Sequence, residues 1–475
     1  MAVDYDVVII GGGSGGLVVA SAASQLKAKV ALVERDRLGG DCLWFGCVPS
    51  KSLIHAGRVA YEVKNGHRFG IYTSEVDIDF AKAMGHVHQT QAAIEPHDSP
   101  ERFRGLGVEV IFGEGKFIDD RTFEVNGQEL RARSFVVSTG SRPSTPPIEG
   151  LKEAGYLTNE QVFSLKEKPN SLAVIGAGPI GCELGQAFHR LGCHVTLIAS
   201  RDTILPKEDP EAAAVVQAQL ESEEMCIHTN TRPDRVEVVD GKKVLYMGEK
   251  KLAEVDEILI STGRRPNVES LNLDIAGVMV EKHGIKVNEK LQTTNPRIYA
   301  CGDVIGGYQF THVAGYEATV VLKNALFLAT SKADYRVVPW CTFTDPELAK
   351  VGLSEEQARQ RYGDDIYVLK QEFAGVDRAL AEGATKGFAK IITTSKGEIL
   401  GATFVGPSAG ELIHEVVMAM TNKMKVSALT GYIHIYPTLA EVSSKTALLL
   451  TKQTYAKNRR LQRILTKLFE FLRSL

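Results

Sequence analysis

The sequence predicts an α/β protein with two nucleotide-type βαβ units, and two observations predict it. Short apolar runs, one at Val7–Ile10 and one beginning at Leu172, each enter a glycine-rich turn. The first reads Gly11-Gly12-Gly13-Ser14-Gly15-Gly16 and the second Gly176-Ala177-Gly178-Pro179-Ile180-Gly181. A helical stretch and a further apolar run follow each turn, the order of a buried strand, a turn, a helix and a parallel strand. At 475 residues the chain has room for roughly two to four domains, each with its own core.

In the first unit, Gly11, Gly13 and Gly16 supply the tight turn, the close approach of a pyrophosphate and close helix–strand packing. Ser14 opens the helix, whose N-terminal N–H groups face the phosphates. The next strand, Lys29–Val33, ends at Glu34, a carboxylate able to accept hydrogen bonds from ribose hydroxyls. In the second unit, Gly176, Gly178 and Gly181 repeat the pattern, but the strand "HVTLIAS" ends at Ser200 and Arg201 with no acid. A hydroxyl and a guanidinium favour a 2′-phosphate that a carboxylate would repel, so this site expects NADPH over NADH. The plainer reading of Arg201 is a solvated surface charge. Two such Rossmann-like units expect two nucleotides, one held permanently. "VVSTGSRP", with Thr139 and Gly140, and "LISTGRRP", with Gly263, are apolar strands ending in Thr-Gly turns beside a nucleotide. Asp303 follows the strand and glycine of "RIYACGDV", where its carboxylate would reach sugar hydroxyls.

"GGDCLWFGCVPSK" runs from Gly39 to Lys51 and holds Cys42 and Cys47. Zinc knuckles need two further ligands nearby, and none is clustered here, so no metal is expected. Helical residues five apart point to different sides, so a Cys42–Cys47 bridge needs a bent backbone, supplied by Gly46, and would be reducible. "PSKSLIHAGRVAYEV" reads as a helix with Pro49 in its first turn. A thiol at that helix N-terminus, next to Lys51, has its thiolate favoured. The pair reads as a redox dithiol.

Composition narrows the class. Hydrophobic content of 44% and charged content of 24% are ordinary for a soluble globular protein, and a net charge of −3 argues against a general nucleic-acid binder. The N-terminus lacks the basic region and cleavage site of a signal peptide, and no apolar run reaches the ~18 residues of a membrane span. Seven cysteines, five far from any cysteine partner in sequence, suit a reducing, cytoplasmic setting rather than a secreted disulfide framework.

Over about residues 4–450 the chain resembles the class I pyridine nucleotide–disulfide oxidoreductases, the family of dihydrolipoamide dehydrogenase, glutathione reductase and mercuric reductase. The Gly11–Gly16 loop with Glu34, Cys42-x4-Cys47-Val-Pro-Ser-Lys51, the Gly176–Gly181 loop, Tyr299-Ala-x-Gly-Asp303 and "YPTLAE" carry the resemblance. It implies FAD on the first fingerprint, with Gly40, Lys51, Thr139, Gly140 and Asp303 completing its site. It implies a nicotinamide nucleotide on the second, with Ser200, Arg201 and Gly263. Cys47 is expected against the flavin as the charge-transfer thiolate and Cys42 as the outer, interchange thiol. Lys51 is expected to pair with Glu183, and Asp303 to bond the ribityl chain.

The departures bear on the acceptor. Disulfide-reducing members carry His-Pro-Thr-x-x-Glu, whose His and Glu serve the partner subunit's dithiol. Here the stretch is "HIYPTLAE", with Tyr436 at the histidine position, Glu441 retained and His434 two residues earlier. A phenol of pKa about 10 is a poor general base at neutral pH. His434 shares a strand face with position 436 and is either a substitute base or a packing residue. Mercuric reductases have Tyr at about this site, which draws the resemblance to that branch. Against full mercuric reductase stand the ending "FEFLRSL", without a cysteine pair, and the lack of an N-terminal Cys-x-x-Cys domain. Pro179 stands where a gating Tyr is common. Trp44 puts a large ring beside the dithiol, either to stack on an acceptor or to pack.

The family layout divides the chain into an FAD domain (1–153), an NAD(P) domain (154–281), a central segment completing the FAD site (282–335) and an α+β C-terminal dimerisation domain (336–450). "VVPWCTFTDPELAKVGLSEEQA" opens the last, with a turn at Asp345-Pro346 and a helix capped by Ser354. A homodimer with two-fold symmetry is implied. The tail, 451–475, carries Lys457, Arg459, Arg460, Arg463, Lys467 and Arg473 against Glu470, with leucines at helical spacing. Residues 457–475 read as a peripheral membrane contact, a partner helix or a helix packed on its own dimer. The expected function is an NAD(P)H-dependent flavoenzyme passing electrons through Cys42/Cys47 to a metal ion or quinone. The alternative is a disulfide reductase or dihydrolipoamide dehydrogenase using His434. The dithiol and both loops disfavour a non-catalytic nucleotide-binding subunit.

Overall fold

The computed structural model describes residues 3–475, apart from the side chain of Lys457, and falls into two compact units. One comprises Met1–Ser200 and Thr231–Asp334; the other comprises Arg201–Asn230 and Tyr335–Leu475. Residues 201–230, expected in the second nucleotide domain, thus cluster with the C-terminal chain. Within that unit Lys390 Nζ pairs with Asp209 at 2.9 Å, both side chains almost fully buried (4% and 6% exposed).

The first unit is organised on a seven-stranded sheet. Glu109–Phe112, Val30–Glu34, Tyr5–Ile10 and Gln128–Val137 run parallel in that order, and Ile298–Ala300 joins Gln128–Val137 in parallel. Val7, Val8 and Ile9 are fully buried, as a strand covered on both faces requires. The second nucleotide sheet places Ser171–Ile175 between His194–Ile198 and Glu257–Ile260, again in parallel. Its companion is a three-stranded antiparallel sheet of Arg235–Val239, Lys242–Met247 and Lys250–Val255. These are the two Rossmann-like elements of the predicted α/β fold.

The two glycine loops are held by the same steric device. Gly11 (φ +106°) and Gly176 (φ +115°) occupy backbone that glycine favours. A Cβ on Gly16 would meet Gly11 O at 1.9 Å, and one on Gly181 would meet Gly176 O at 1.9 Å, so strand and helix approach only without side chains there. Ser138 Oγ donates to Gly11 O at 2.9 Å and Ser261 Oγ to Gly176 O at 2.8 Å. These serines precede the Thr-Gly turns read from sequence, and their role of pinning the loop was not among those readings.

The second unit is built on a five-stranded antiparallel sheet in the order Pro339–Thr342, Glu347–Gly352, Ile399–Gly406, Phe388–Thr394 and Ile366–Glu372. The turn at Asp345-Pro346 falls between its first two strands, and Ser354 caps the helix Glu355–Tyr362 through Gln357 N at 3.1 Å. The helix Glu441–Lys457 buries Val442 and Ala447 in this unit's core. Arg459–Ser474 forms a separate helix with no buried residue.

Candidate active site

Cys42 lies in the short helix Gly40–Trp44, and Cys47 is the first residue of the helix Cys47–Lys64. The backbone turns between them at Gly46, where a Cβ would crowd Asp41 O at 2.9 Å and Cys42 Cα at 3.2 Å. That turn lets two residues five apart meet, as the sequence required. Both cysteines are free thiols in this structure. Cys47 Sγ lies 3.3 Å from Thr311 Oγ1, at the start of the helix Thr311–Leu326. Thr311 is far away in sequence and carried no signal there.

The two thiols are electrostatically unlike. The hydrogen bond from Cys42, the Thr311 hydroxyl and the nearby Lys51 ammonium bring the Cys47 thiol down to about 6. The hydrogen bond to Cys47 and then burial push the Cys42 thiol up. These contacts favour ionisation at Cys47 over Cys42. Lys51 Nζ pairs with Glu183 at 2.8 Å, Glu183 being 7% exposed, so the pair expected from the resemblance stands together. Below about pH 6 Cys47 is protonated; above it the thiolate predominates, well before an ordinary thiol near 8.5 would ionise. The 240-nm thiolate absorbance of the reduced protein is expected to rise with a midpoint near pH 6, and Cys47→Ser is expected to remove that step. A midpoint above pH 8 would contradict the assignment.

Trp44 donates its indole N–H to Leu38 O at 2.7 Å, and the Arg37 guanidinium covers its ring at 4.0 Å. Of the two roles open for it, packing is the one these contacts occupy. Cys42, with Leu17, Leu43, Val48, Ile94 and Phe103, lines a cavity of about 300 Å³.

The glycine loops fit the nucleotides their patterns imply. Gly13 and Gly178 are helix N-caps without a side-chain cap, so first-turn N–H groups of Ser14–Gln25, and in Pro179–Arg190 those that follow Pro179, face the place of phosphate oxygens. Glu34 Oε2 accepts from Gly12 N at 2.7 Å, which fixes the acid at the loop. Gly40 (φ +58°) faces Gly13 so closely that a Cβ on it would lie 2.7 Å from Gly13 Cα, leaving the passage free of side chains. Thr139 Oγ1 donates to Asn267 O at 2.7 Å, and Gly140 and Gly263 are in positive-φ backbone. Burial raises the Asp303 carboxyl, which accepts from Ser141 Oγ at 2.6 Å. Arg264 joins Ser141 (2.7 Å), Asp303 (3.6 Å) and Asp41 (3.2 Å) in one network; sequence reading passed over it. Ser200 and Arg201 are both exposed.

His434 Nε2 lies 3.5 Å from Glu415 Oε2, and its ring stacks on Tyr432 at 4.4 Å. It is thus an imidazole with an orienting carboxylate, a partnership with no signal in the spacing. Tyr436 Oη donates to Asp377 at 2.8 Å, and that bond raises its pKa further from neutrality. Glu441 Oε2 is buried with no hydrogen-bond partner among the described residues, and Glu441 is not paired with Tyr436. Among the described residues, no three His, Cys, Asp or Glu side chains gather as a metal-holding group.

The pyridine nucleotide-disulphide oxidoreductase family matches residues 5–318, and that family's dimerisation domain matches residues 338–447. The chain is 38% identical over 454 residues to a mercuric reductase of Staphylococcus aureus, spanning 94% of this chain and 83% of that one. It is 37% identical over 464 residues to a dihydrolipoyl dehydrogenase of Thermus scotoductus, spanning 94% and 98%. Among solved structures, the HOCl-induced flavoprotein disulfide reductase RclA from Escherichia coli, in a Cu(II) complex, aligns with a TM-score of 0.84. That alignment has 28% identity and covers 94% of this chain and 100% of that one.

Proposed function

The chain belongs to the pyridine nucleotide-disulphide oxidoreductases, flavin-dependent enzymes that use FAD and NAD(P)H, and from that membership we propose that it is a disulfide reductase acting on small disulfides. The observation that carries this reading is the carboxylate set against His434, Glu415 Oε2 at 3.5 Å from Nε2, beside a Tyr436 phenol bonded to Asp377. A protonated outer thiol needs a base to attack a disulfide. His434, oriented by Glu415, is the group suited to that task, working on the dithiol of a second copy in a dimer. The likeness to a flavoprotein disulfide reductase supports the same choice. The expected metal-ion or quinone acceptor becomes the second reading, which Tyr436 in the motif and the likeness to mercuric reductases favour.

Bound FAD would supply the chemistry of accepting a hydride from NAD(P)H and passing two electrons on to the Cys42–Cys47 disulfide. The chain's own residues would do the rest. Gly11, Gly13, Ser14, Gly16 and Gly40 would admit the pyrophosphate of FAD, Glu34 would hold its ribose, and Thr139, Gly140 and Asp303 would line its sugar chain. Lys51, fixed by Glu183, holds positive charge beside Cys47 and keeps it ionised. His434 takes the Cys42 proton as the sulfur attacks R–S–S–R, forming a mixed disulfide and releasing one thiolate, which His434 protonates. Cys47 then attacks the Cys42 sulfur, re-forming the internal disulfide and releasing the second half as a thiolate, which takes its proton from solvent. Two electrons leave the dithiol, and two thiols are made from one disulfide.

The test is a screen of acceptors with the NADPH-reduced enzyme: lipoamide, glutathione disulfide, Hg(II), Cu(II) and quinones. Turnover of a disulfide at a rate near that of flavin reduction supports the proposal. Turnover of ions or quinones alone supports the second reading. Gly176, Gly178, Gly181 and Gly263 would hold the nicotinamide nucleotide, and Ser200 and Arg201 its 2′-phosphate. Arg201→Ala is expected to raise KM for NADPH roughly tenfold, the low end for a charge-assisted contact at an exposed site, with little effect on NADH. Equal use of both nucleotides by the native enzyme would sink the NADPH assignment.

A further inference from the structure

The strongest feature left unused by the redox chemistry is the terminal helix, Arg459–Ser474. It starts afresh after the helix Glu441–Lys457, where Asn458 accepts from Leu461 N at 3.0 Å. At 100° per residue, its apolar side chains occupy one arc of about 160°, with no polar residue inside it. Leu461, Ile464, Leu465, Leu468, Leu472 and Leu475 form the middle of the arc, and Phe469 and Phe471 mark its two edges. This face is open: Ile464 is 63% exposed, Phe471 59% and Leu475 88%. The opposite face carries Arg459, Arg460, Arg463, Lys467 and Arg473 against one acid, Glu470, in a chain whose net charge is −3.

We infer that this helix binds the surface of a bilayer containing anionic lipid, lying in its plane with the leucines down. Three properties select that occupant. First, the cationic charge is concentrated on one short helix of an otherwise acidic chain, which complements anionic headgroups. Second, Arg460, Lys467 and Arg473 flank the apolar arc, where long cationic side chains reach headgroups while their stems stay with the acyl chains. Third, at 1.5 Å per residue the helix is only about 24 Å long, shorter than the ~30 Å hydrocarbon core. No helix among the described residues is long and apolar enough to cross a membrane. A second copy of the helix fits less well. An arc of this width exceeds a two-helix seam, and the basic margins would face each other as like charges.

The test is sedimentation of the full-length holoenzyme with phosphatidylcholine vesicles, with and without phosphatidylglycerol. Binding is expected only with phosphatidylglycerol and is expected to weaken as salt is raised. Arg463→Ala with Lys467→Ala is expected to lower the partition coefficient about thirty-fold, at about fivefold per cationic side chain. Leu468→Glu is expected to abolish binding. Flavin content and the rate of flavin reduction by NADPH are expected to be unchanged in both variants, which shows that they fold. Equal binding to neutral vesicles, or binding indifferent to both variants, would overturn the inference. So would failure to bind vesicles together with a change in assembly mass on Leu468→Glu, which would make the face a contact between copies. Failure to bind with no change in mass would also overturn it.

Discussion

Cys42→Ser is expected to abolish acceptor reduction, by more than about 10³-fold, while NADPH still reduces the flavin. A two-electron relay through sulfur needs both atoms, because the internal disulfide is the oxidised product of every turnover. A serine oxygen cannot form it, and no alternative route restores the lost function, so the loss is of the size seen when a covalent nucleophile is removed. Cys47 should remain a thiolate in this variant. Its largest stabilisation is a hydrogen bond from residue 42, and a serine hydroxyl still donates one. The long-wavelength absorbance that a thiolate beside a flavin gives is therefore expected to persist in Cys42→Ser and to vanish in Cys47→Ser. Anaerobic titration with NADPH and steady-state turnover with each acceptor check both parts. Persistence of the band in Cys47→Ser would reverse the roles given to the two thiols.

His434→Ala is expected to lower the turnover of a small disulfide by about 10²–10⁴-fold, the usual worth of a general acid–base, with flavin reduction unchanged. The imidazole has a carboxylate at 3.5 Å from Glu415, whereas the Tyr436 phenol is tied to Asp377 and pushed away from neutral pH. Glu415→Gln is expected to reproduce part of the loss, since it keeps the shape and removes the charge. Metal-ion or quinone reduction needs no proton delivered to a leaving thiol and is expected to be unaffected. The reciprocal variant decides between the readings. If His434→Ala changes nothing and Tyr436→His raises disulfide turnover by at least about tenfold, the native chain lacks a base and the non-disulfide acceptor stands.

Much of the nucleotide-binding architecture was legible because glycine spacing, strand hydrophobicity and helix starts are local properties of the chain. Gly11, Gly16, Gly176 and Gly181 declare strand–helix contacts that tolerate no Cβ, and a repeated pattern twice over implies two such folds. The dithiol was legible for the same reason: Cys42, Gly46, Cys47 and Lys51 lie within one short stretch. The surroundings of His434 were not, because the local motif replaces the histidine at position 436 and Glu415, set against His434, lies 19 residues away on another element.

The sequence by itself determined that the protein has two Rossmann-like nucleotide sites, a redox-competent cysteine pair and a cationic amphipathic terminus, since each is written in residue order and period. Only the tertiary structure brought Thr311, 264 residues away in sequence, against Cys47 and set Lys51 against Glu183. It alone tied Tyr436 to Asp377 and placed Glu415 against His434. The reason is physical: a pKa and a proton path depend on hydrogen bonds, burial and charges within a few ångströms, and folding chooses those neighbours without regard to their distance along the chain.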